Sequence, residues 1–454
     1  MKLPRILLSA AGSGSGKTLL TCGILKALKN RGIRAASFKC GPDYIDPMFH
    51  SRILETKSRN LDTFFTNPDT TRYLLGENAR DCDIAVIEGV MGYYDGLAGI
   101  SVQGSAYEVS GITKTPAVLI INCKGMSVSI VPQILGFIQY QKDSRIGGVI
   151  LNRMSAMLYP RVKAMIEEQL DIKVLGYVPE LSDCVLESRH LGLVLPDEVQ
   201  DLKGKVSRLA EQLEKSLDID ALLALAGEAE ELFWEEPALP APLAAGERVR
   251  IAVARDEAFC FLYEDNLRLL EKLGAVLVEF SPLHDTELPQ ADGLLLPGGY
   301  PELYARQLSE NTAMREAIYR AVTGQMPCLA ECGGFMYLHR EMEDMQGSSW
   351  PMAGVIDAKA YRTGKLGRFG YIHLKGEAFG HSFENIPAHE FHYFDSENCG
   401  EAFEAQKPLS SRRWKCMHTE YRMLAGFPHL YYYGAPEIAA EFLRRCAENK
   451  ERAL

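Results

Sequence analysis

The sequence predicts an α/β protein of two domains, each with a parallel sheet at its centre. Short apolar runs recur along the chain, and they lack the alternation of apolar and polar residues that marks a half-exposed strand. Such continuous runs are typical of strands that are buried on both faces. Longer stretches with helical periodicity separate most of these runs, which is the repetition of a doubly wound sheet. The 454 residues, 47% hydrophobic and 24% charged, are enough for more than one buried core.

The first predicted domain spans residues 1–234. Its helical patterns run from Lys17 to Asn30 and from Tyr159 to Gln169, and its strand candidates are "RILLSA", "AASFK", "IAVIEG", "AVLIIN", "GGVILN" and "KVLGYVP". The stretch 235–247, "EEPALPAPLAAGE", has three prolines and no periodicity, which predicts a linker.

The second predicted domain spans residues 248–454 and is also α/β. It begins with the buried-strand pattern "VRIAVARD", continues with a helical pattern from Glu264 to Leu273, and then gives "VLVEFS" and "GLLLPGG". Its last third is richer in β signals, such as "FGYIHL" and "HEFHYF".

Composition narrows the class of protein. A net charge of -11 disfavours a general surface for nucleic acid or anionic membranes. The 11 cysteines show neither C-x-x-C pairs nor zinc-ligand spacing, and the chain shows no signal peptide, which is typical of reduced thiols. Apolar stretches are too short to span a membrane. We therefore expect a cytoplasmic protein that binds neither nucleic acid nor membranes.

A phosphate-binding loop is predicted in "LLSAAGSGSGKTLL", which follows a strand and opens a helix. Gly14 and Gly16 would let backbone N–H groups approach phosphate oxygens at the helix N-terminus. Lys17 would reach the terminal phosphates, and the Thr18 hydroxyl would bind Mg2+. Ala11 stands where the strict pattern has glycine. The alternative interpretation is a Gly/Ser turn before a helix.

Carboxylates follow two strands near this loop. Glu88 ends an apolar strand and Asp95 follows in a glycine-rich loop, where both are natural partners of Mg2+. In "FKCGPDYIDPMFH", Lys39 could neutralise charge during phosphoryl transfer, and Asp43 and Asp46 are further candidates for catalysis, Asp46 also for metal binding. The alternative for both aspartates is turn chemistry around proline.

A second candidate site lies in "MPCLAECGGF", which indicates a strand, a tight turn and a helix. Cys332 at such an elbow would be a nucleophile, and the N–H of Gly333 could stabilise an oxyanion. The helix N-terminus is expected to lower the pKa of the thiol. Gly299, in "LLLPGGYPE", could supply a second oxyanion donor. The alternative is a buried, inert cysteine.

A thiol nucleophile needs a base, and histidine is the usual one. His429, in "AGFPHLYYYG", lies at the end of a β-like segment late in the chain. His389 and His392, in "AHEFHYF", are the rival candidates.

These motifs together resemble a known family. The first block is similar to the dethiobiotin-synthetase type of P-loop ligase domain, and the second is similar to the class I glutamine amidotransferases. The combination resembles the cobyrinic acid a,c-diamide synthases of the cobalamin (vitamin B12) pathway. The resemblance runs along nearly the whole chain and rests on "SGSGKT", "FKCGPDYIDPMFH", "RNLD", "EGVMGYYDG", "LNRM", "SRHLGLV", "GGYPE", "ECGGFMYL" and "HEFHY".

The resemblance implies an ATP-dependent carbon–nitrogen ligase with glutamine as the amido donor. ATP and Mg2+ would activate the a and c acetate groups of a corrinoid as acyl phosphates, and ammonia released from glutamine at Cys332 would displace phosphate, with His429 as base. Asn152 would contact the nucleotide base, while Arg189 and His190 would meet the substrate's carboxylates. The resemblance also suggests a homodimer.

The chain departs from the family pattern in two further places. Tyr431, two residues after His429, stands where many class I amidotransferases have glutamate and this family commonly has histidine. Cys40 stands where an aliphatic residue is usual. Alternative substrates are nickel-sirohydrochlorin and hydrogenobyrinic acid, and cobyric acid synthase is a related activity. From another class, the chain could be a nucleotide-dependent regulatory protein.

Overall fold

The computed structural model describes residues 1–55, 58–181, 184, 188–189, 192–193, 195–244 and 247–453. It divides into two compact units, Met1–Pro237 and Ala238–Leu454. Each unit holds a parallel sheet with helices between its strands, so the predicted fold class is confirmed. Within the described ranges, no helix combines the length and the apolar character needed to cross a membrane.

The described part of the first unit is built on a seven-stranded parallel sheet in the order β3-β2-β4-β1-β5-β6-β7. Its strands are β1 (Arg5–Ala10), β2 (Ala35–Cys40), β3 (Ser58–Leu61), β4 (Ile84–Glu88), β5 (Ala117–Asn122), β6 (Ile146–Asn152) and β7 (Lys173–Val178). A short antiparallel pair follows, β8 (Ser188–Arg189) and β9 (Gly192–Leu193).

In the described part of this unit, the first six helices connect the strands of its sheet, and two more follow the last strand. They are α1 (Lys17–Asn30), α2 (Ile45–Leu54), α3 (Pro68–Ala79), α4 (Ala106–Thr113), α5 (Ile130–Tyr140), α6 (Tyr159–Gln169), α7 (Leu202–Ser216) and α8 (Ile219–Gly227). The ranges of α1 and α6 are those that the helical periodicity predicts. The β1, β4 and β2 strands are neighbours, so the segments that follow them meet at one edge of the sheet.

The described part of the second unit has a five-stranded parallel sheet in the order β11-β10-β12-β13-β22. These strands are β10 (Val249–Ala254), β11 (Ala275–Phe280), β12 (Gly293–Leu296), β13 (Cys328–Glu331) and β22 (Met423–Gly426). The helices are α9 (Glu264–Lys272), α10 (Ala305–Glu310), α11 (Thr312–Thr323), α12 (Gly333–Tyr337) and α13 (Pro436–Ala453).

Two further sheets account for the β-rich last third of the chain. One is mixed and consists of β15 (Ser349–Pro351), β14 (His339–Glu343), β16 (Ile356–Arg362) and β19 (Phe394–Ser396). The other is antiparallel and consists of β21 (Arg413–Cys416), β20 (Phe403–Gln406), β17 (Phe369–Ala378), β18 (His381–Phe391) and β23 (His429–Leu430). The pairing of β23 with β18 places His429 opposite His389.

Candidate active sites

The phosphate loop lies between β1 and α1, as predicted. Gly14 and Gly16 have φ of 74° and 89°, in the left-handed region that glycine adopts at little cost. A Cβ on Gly16 would lie 2.7 Å from Nδ2 of Asn152. That same Nδ2 donates to the Ser15 carbonyl at 2.8 Å, so Asn152 fixes the loop backbone in this structure.

Lys17 lies at the start of α1 with its side chain largely buried. Its ammonium donates to the carbonyl oxygens of Gly12 at 3.0 Å and Met91 at 2.5 Å. Burial and the nearby ammonium of Lys39 lower the pKa of Lys17 to about 8, although three neighbouring carboxylates act in the opposite direction. The charge on Lys17 therefore titrates close to the pH range in which enzymes are assayed.

We expect the affinity for an ATP analogue with Mg2+ to fall as the pH rises above about 8. Bound phosphates favour the ammonium, so the pKa of Lys17 is higher in the complex than its value of about 8 in the free protein. Below this pKa, Lys17 already carries its proton before the nucleotide binds. Above it, Lys17 must take up a proton each time the nucleotide binds. Titration calorimetry should show Kd rising by up to about tenfold per pH unit.

Lys17→Arg is the matched control for this pH dependence, because a guanidinium stays charged throughout the range. The variant's Kd should change little between pH values on either side of 8. Equal pH profiles for the wild type and the arginine variant would contradict the assignment to Lys17.

A buried charge cluster lies beside the phosphate loop. Lys39 Nζ lies 2.8 Å from Glu88 Oε1 and 2.6 Å from Asp46 Oδ2. Thr18 Oγ1 donates to Glu88 Oε1 at 2.7 Å, and His50 Nε2 lies 3.0 Å from Glu88 Oε2. The strand register brings Lys39 and Glu88 opposite each other on β2 and β4. Lys39, Asp46, Thr18 and Glu88 were all predicted at this site, whereas His50 was not.

The pKa values in this cluster follow from burial and pairing. Burial alone would raise the pKa of Glu88, but Lys39 and His50 outweigh it and hold the pKa below its ordinary value. The pKa of Lys39 is raised because Asp46 and Glu88 outweigh its burial. The pKa of Asp46 is raised, because burial and the Asp43 carboxylate outweigh the attraction of Lys39. Glu88 is therefore the ionised carboxylate of the cluster, and Asp46 is the one that takes up a proton more readily.

Asp43 and Asp95 are engaged with their own loops. Asp43 Oδ1 accepts from the N–H groups of Ile45 at 2.8 Å and Asp46 at 3.0 Å, which is the turn chemistry that the alternative interpretation described. Asp95 Oδ2 accepts from the N–H of Gly92 at 2.8 Å, and its side chain is exposed.

Two predicted substrate contacts cannot be placed in the site. Arg189 belongs to β8, but its side chain lies outside the described part of the structure, and His190 lies outside the described residues altogether.

The structure adds Asn60 of β3, whose Nδ2 donates to the carbonyls of Gly41 at 2.9 Å and Asp43 at 2.7 Å. Asn60 thus holds the loop that carries Asp43 and leads into α2, where Asp46 lies.

The oxygen atoms beside the phosphate loop fit Mg2+. Across the described ranges, no group of three or more His, Cys, Asp or Glu side chains is arranged as a metal cage. Mg2+ in nucleotide sites is held by one or two protein oxygens together with phosphates and water, so such a cage is not needed. Thr18 Oγ1 and Glu88 Oε1, 2.7 Å apart, are hard oxygen donors at the expected place.

Cys332 occupies the predicted elbow between β13 and α12. Its φ of 45° and ψ of -98° are strained for a residue other than glycine, as at a nucleophile elbow. The N–H of Cys332 donates to the Gly426 carbonyl at 2.8 Å, and its own carbonyl accepts from Met336 N–H at 2.9 Å. These bonds hold the elbow against the neighbouring strand β22 and the helix that follows.

The predicted oxyanion donors and the predicted base lie around this elbow. A Cβ on Gly333 would lie 3.0 Å from the backbone nitrogen of Gly299. A Cβ on Gly298 would lie 2.5 Å from Cε1 of His429. The loop after β12, the residues beside Cys332 and the imidazole of His429 are therefore packed closely together, which requires glycine at these positions.

The expectation of a lowered thiol pKa is wrong. Burial raises the pKa of Cys332 above its ordinary value, the carboxylates of Glu302 and Glu390 add to the effect, and a hydrogen bond from Gly333 N–H offsets part of it. Helix α12 is five residues long, so its N-terminus does not overcome the burial. The thiol therefore needs a base that removes its proton as it reacts.

Of the three candidate bases, His429 packs against Gly298 in the loop after β12 and also faces a carboxylate. Its Nδ1 lies 3.7 Å from a carboxylate oxygen of Glu331. The His389 ring stacks on it with centroids 4.8 Å apart, and burial together with His429 lowers the pKa of His389 well below its ordinary value. His392 also faces a carboxylate, with Nε2 3.4 Å from Glu390 Oε2, but its Nδ1 donates to the main-chain carbonyl of Phe394 and its ring stacks on Phe427.

Tyr431 does not take the place of the usual glutamate. Its hydroxyl donates to Asp265 Oδ2 at 3.0 Å, on α9. Glu331, which sequence reasoning missed as a partner of His429, lies immediately before Cys332 in the same motif. The acidic residue in "ECGG" was the available signal, but its contact with a residue nearly 100 positions later depends on the fold.

Comparison with known proteins agrees with this architecture. Residues 6–193 match the CobQ/CobB/MinD/ParA nucleotide binding domain, and residues 250–429 match the CobB/CobQ-like glutamine amidotransferase domain. A cobyrinate a,c-diamide synthase from Caldanaerobacter subterraneus subsp. tengcongensis is 37% identical over 97% of this chain and 98% of its own length. Those of Listeria innocua serovar 6a and Priestia megaterium are 37% and 35% identical, over 96% and 99% of this chain and 97% and 98% of their own lengths.

A nucleotide-binding P-loop domain and a glutamine amidotransferase domain in one chain define a glutamine-dependent, ATP-driven ligase. The identity to the relatives extends through both domains and almost from end to end. The chain belongs to the cobyrinate a,c-diamide synthase family.

Proposed function

We propose that this protein uses ATP and glutamine to convert the a and c acetate carboxylates of cobyrinic acid into amides, a step of cobalamin biosynthesis. The observation that carries the proposal is the match to cobyrinate a,c-diamide synthases along nearly the whole chain, at 37% identity to two of them. The two candidate sites supply the two kinds of chemistry that such an amidation needs.

The first unit activates the acid. A carboxylate is a poor acyl donor because its oxygen is a poor leaving group, and transfer of the terminal phosphate of ATP to it gives an acyl phosphate that ammonia can displace. Lys17 and Lys39 hold positive charge where phosphate charge moves. Mg2+, when bound, neutralises phosphate charge, and Thr18 and Glu88 would hold it. Asp43, Asp46 and Asp95 would orient phosphate or the target carboxylate.

The second unit supplies ammonia. The sulfur of Cys332 attacks the side-chain amide carbon of glutamine while His429 takes the thiol proton and passes it to the leaving nitrogen. The N–H groups of Gly299 and Gly333 would stabilise the oxyanion, and the close approach of these two residues supports that role. Water then hydrolyses the thioester to glutamate and regenerates the thiol.

Further assignments have narrower support. The division of the chain between Pro237 and Ala238 supports domains at 1–234 and 248–454 joined by a linker. A cytoplasmic location is supported by the cysteines, all of which lie in described residues without a disulfide. Contacts of Asn152 with the nucleotide base and of Arg189 and His190 with the corrinoid, as well as a homodimer, rest on the family resemblance.

The proposal is tested by offering three macrocycles in parallel. Cobyrinic acid, hydrogenobyrinic acid and nickel-sirohydrochlorin are incubated with the protein, ATP, Mg2+ and glutamine, and each product is examined by mass spectrometry. Two successive acid-to-amide conversions of cobyrinic acid are expected, and none without ATP. Amidation of another macrocycle in preference to cobyrinic acid would replace the substrate, and turnover of none would favour a regulatory protein.

A further inference from the structure

Glu331 ends strand β13, immediately before the nucleophile elbow. The residue is buried, with 7% of its surface exposed. Oε2 lies 3.7 Å from Nδ1 of His429, and Oε1 accepts from the N–H of Leu430 at 3.4 Å. The first separation is that of an ion pair and is too long for a hydrogen bond. One carboxylate is thus tied to the strand that carries His429 and also faces its ring.

Two residues near His429, Tyr431 and His389, are unsuited to orienting it as a charged base. The Tyr431 hydroxyl is directed to Asp265, and its phenol is kept protonated because burial raises its pKa. His389 stacks against the ring face, and its lowered pKa keeps it neutral. A neutral ring on the face and a carboxylate at Nδ1 are together compatible with an imidazolium at His429.

We infer that Glu331 is the positioning carboxylate of the glutamine site: it orients the imidazole of His429 and stabilises the imidazolium that forms during the reaction. The inference rests on the proposed glutamine chemistry. Nδ1 keeps its proton toward Glu331, and Nε2 takes the proton of the Cys332 thiol. The sulfur–carbon bond forms, the carbon–nitrogen bond breaks, and the proton on Nε2 leaves with ammonia.

The length of the contact is consistent with this role. Hydrogen bonds between catalytic groups are often long in the ligand-free state and tighten in the complex with substrate. A positive charge on His429 would draw the two groups together, while the bond from Leu430 N–H keeps the carboxylate beside β23. Such a carboxylate has the same role as the glutamate that lies two residues after the histidine in many class I amidotransferases.

The charges around this pair set the direction of the pH effect. Groups that face His429 or Glu331 from the surrounding elements include His389 on β18, the Cys332 thiol, and Tyr432 after β23. Removing the negative charge of Glu331 takes away the stabilisation of the imidazolium that forms during the reaction. The value of kcat/KM for glutamine depends on the neutral base and therefore falls on the acid side of its pH profile. This acid limb of the profile then moves to lower pH.

Glu331→Gln tests the inference with a side chain of nearly the same shape. Glutamate release is measured across pH, together with amide formation from ammonium. We expect kcat for glutamine to fall at least about tenfold with KM nearly unchanged, and the acid limb to move to lower pH. Glu331→Asp should recover part of kcat. Tyr431→Phe is the matched control and should leave the acid limb where it is in the wild type.

Two results of the glutamine assay would overturn the inference: an acid limb that stays in place in Glu331→Gln, or Glu331→Asp no more active than Glu331→Gln. Amide formation from ammonium by Glu331→Gln should stay near the wild-type rate. Loss of that activity would mean that the substitution disturbs folding, and this result would also overturn the inference. The proposed function fails separately. A wild type that releases glutamate but forms no amide on cobyrinic acid would refute the substrate, while glutamate release would still decide the role of Glu331.

Discussion

Replacing Cys332 with alanine is expected to abolish glutamine-dependent amide formation and to leave ammonium-dependent amide formation near the wild-type rate. The variant has no sulfur to attack the glutamine amide, so the thioester cannot form. We expect the glutamine-dependent rate to fall at least about a thousandfold. The first unit is unaltered, so ammonia added to the solution can still displace phosphate. Amide formation is measured with glutamine or with ammonium chloride as the nitrogen source.

Cys328→Ala is the matched control for the nucleophile. Cys328 opens the same strand, β13, is fully buried, and has its pKa raised by burial as Cys332 does. It does not lie at the elbow, so the variant should retain both activities. Loss of both activities in a folded Cys332→Ala protein would contradict the separation of the two chemistries.

Replacing Lys17 with alanine is expected to remove ATP-dependent amide formation and to leave at least part of the glutaminase activity. The Lys17 ammonium lies over the loop between the carbonyls of Gly12 and Met91, and with a bound nucleotide it would turn to the phosphates. Losing this charge should cost at least about a hundredfold in the rate of phosphate transfer. Corrinoid-dependent phosphate release and glutamate release are measured on the same preparation.

Lys29→Ala on the same helix provides the control for Lys17. Lys29 lies in the last turn of α1 and forms an exposed salt bridge with Glu55, at 2.7 Å. Exposed pairs of this kind contribute little to stability, so both activities should be retained. A Lys17→Ala protein that forms amides from ATP as fast as Lys29→Ala would refute the assignment of the phosphate site.

The parallel sheets could be predicted from the sequence because most of their strands are buried along nearly their whole length. Strands β1 and β4 bury every residue, and their continuous apolar runs stand out from the helical patterns around them. Strand β3, "SRNL", was missed because it has four residues, three of them polar, at the edge of the sheet. The phosphate loop and the cysteine elbow were predictable because consecutive residues form them.

Contacts between distant segments could not be predicted in the same way. His50 reaches Glu88, Asn60 reaches the loop after β2, and Glu331 reaches His429 through the register and packing of the strands. The direction in which the Cys332 pKa is shifted was missed for the same reason. The local motif suggests a lowered value, whereas burial and distant carboxylates raise it.

The central claim is that one chain prepares an acid with ATP and amidates it with nitrogen taken from glutamine. It is tested most directly with cobyrinic acid, ATP, Mg2+ and glutamine that carries a heavy nitrogen isotope in its side-chain amide. We predict a product with two heavy-nitrogen amides and one phosphate released for each amide formed. Phosphate release that does not depend on the acid, or a product without the heavy isotope, would contradict the claim.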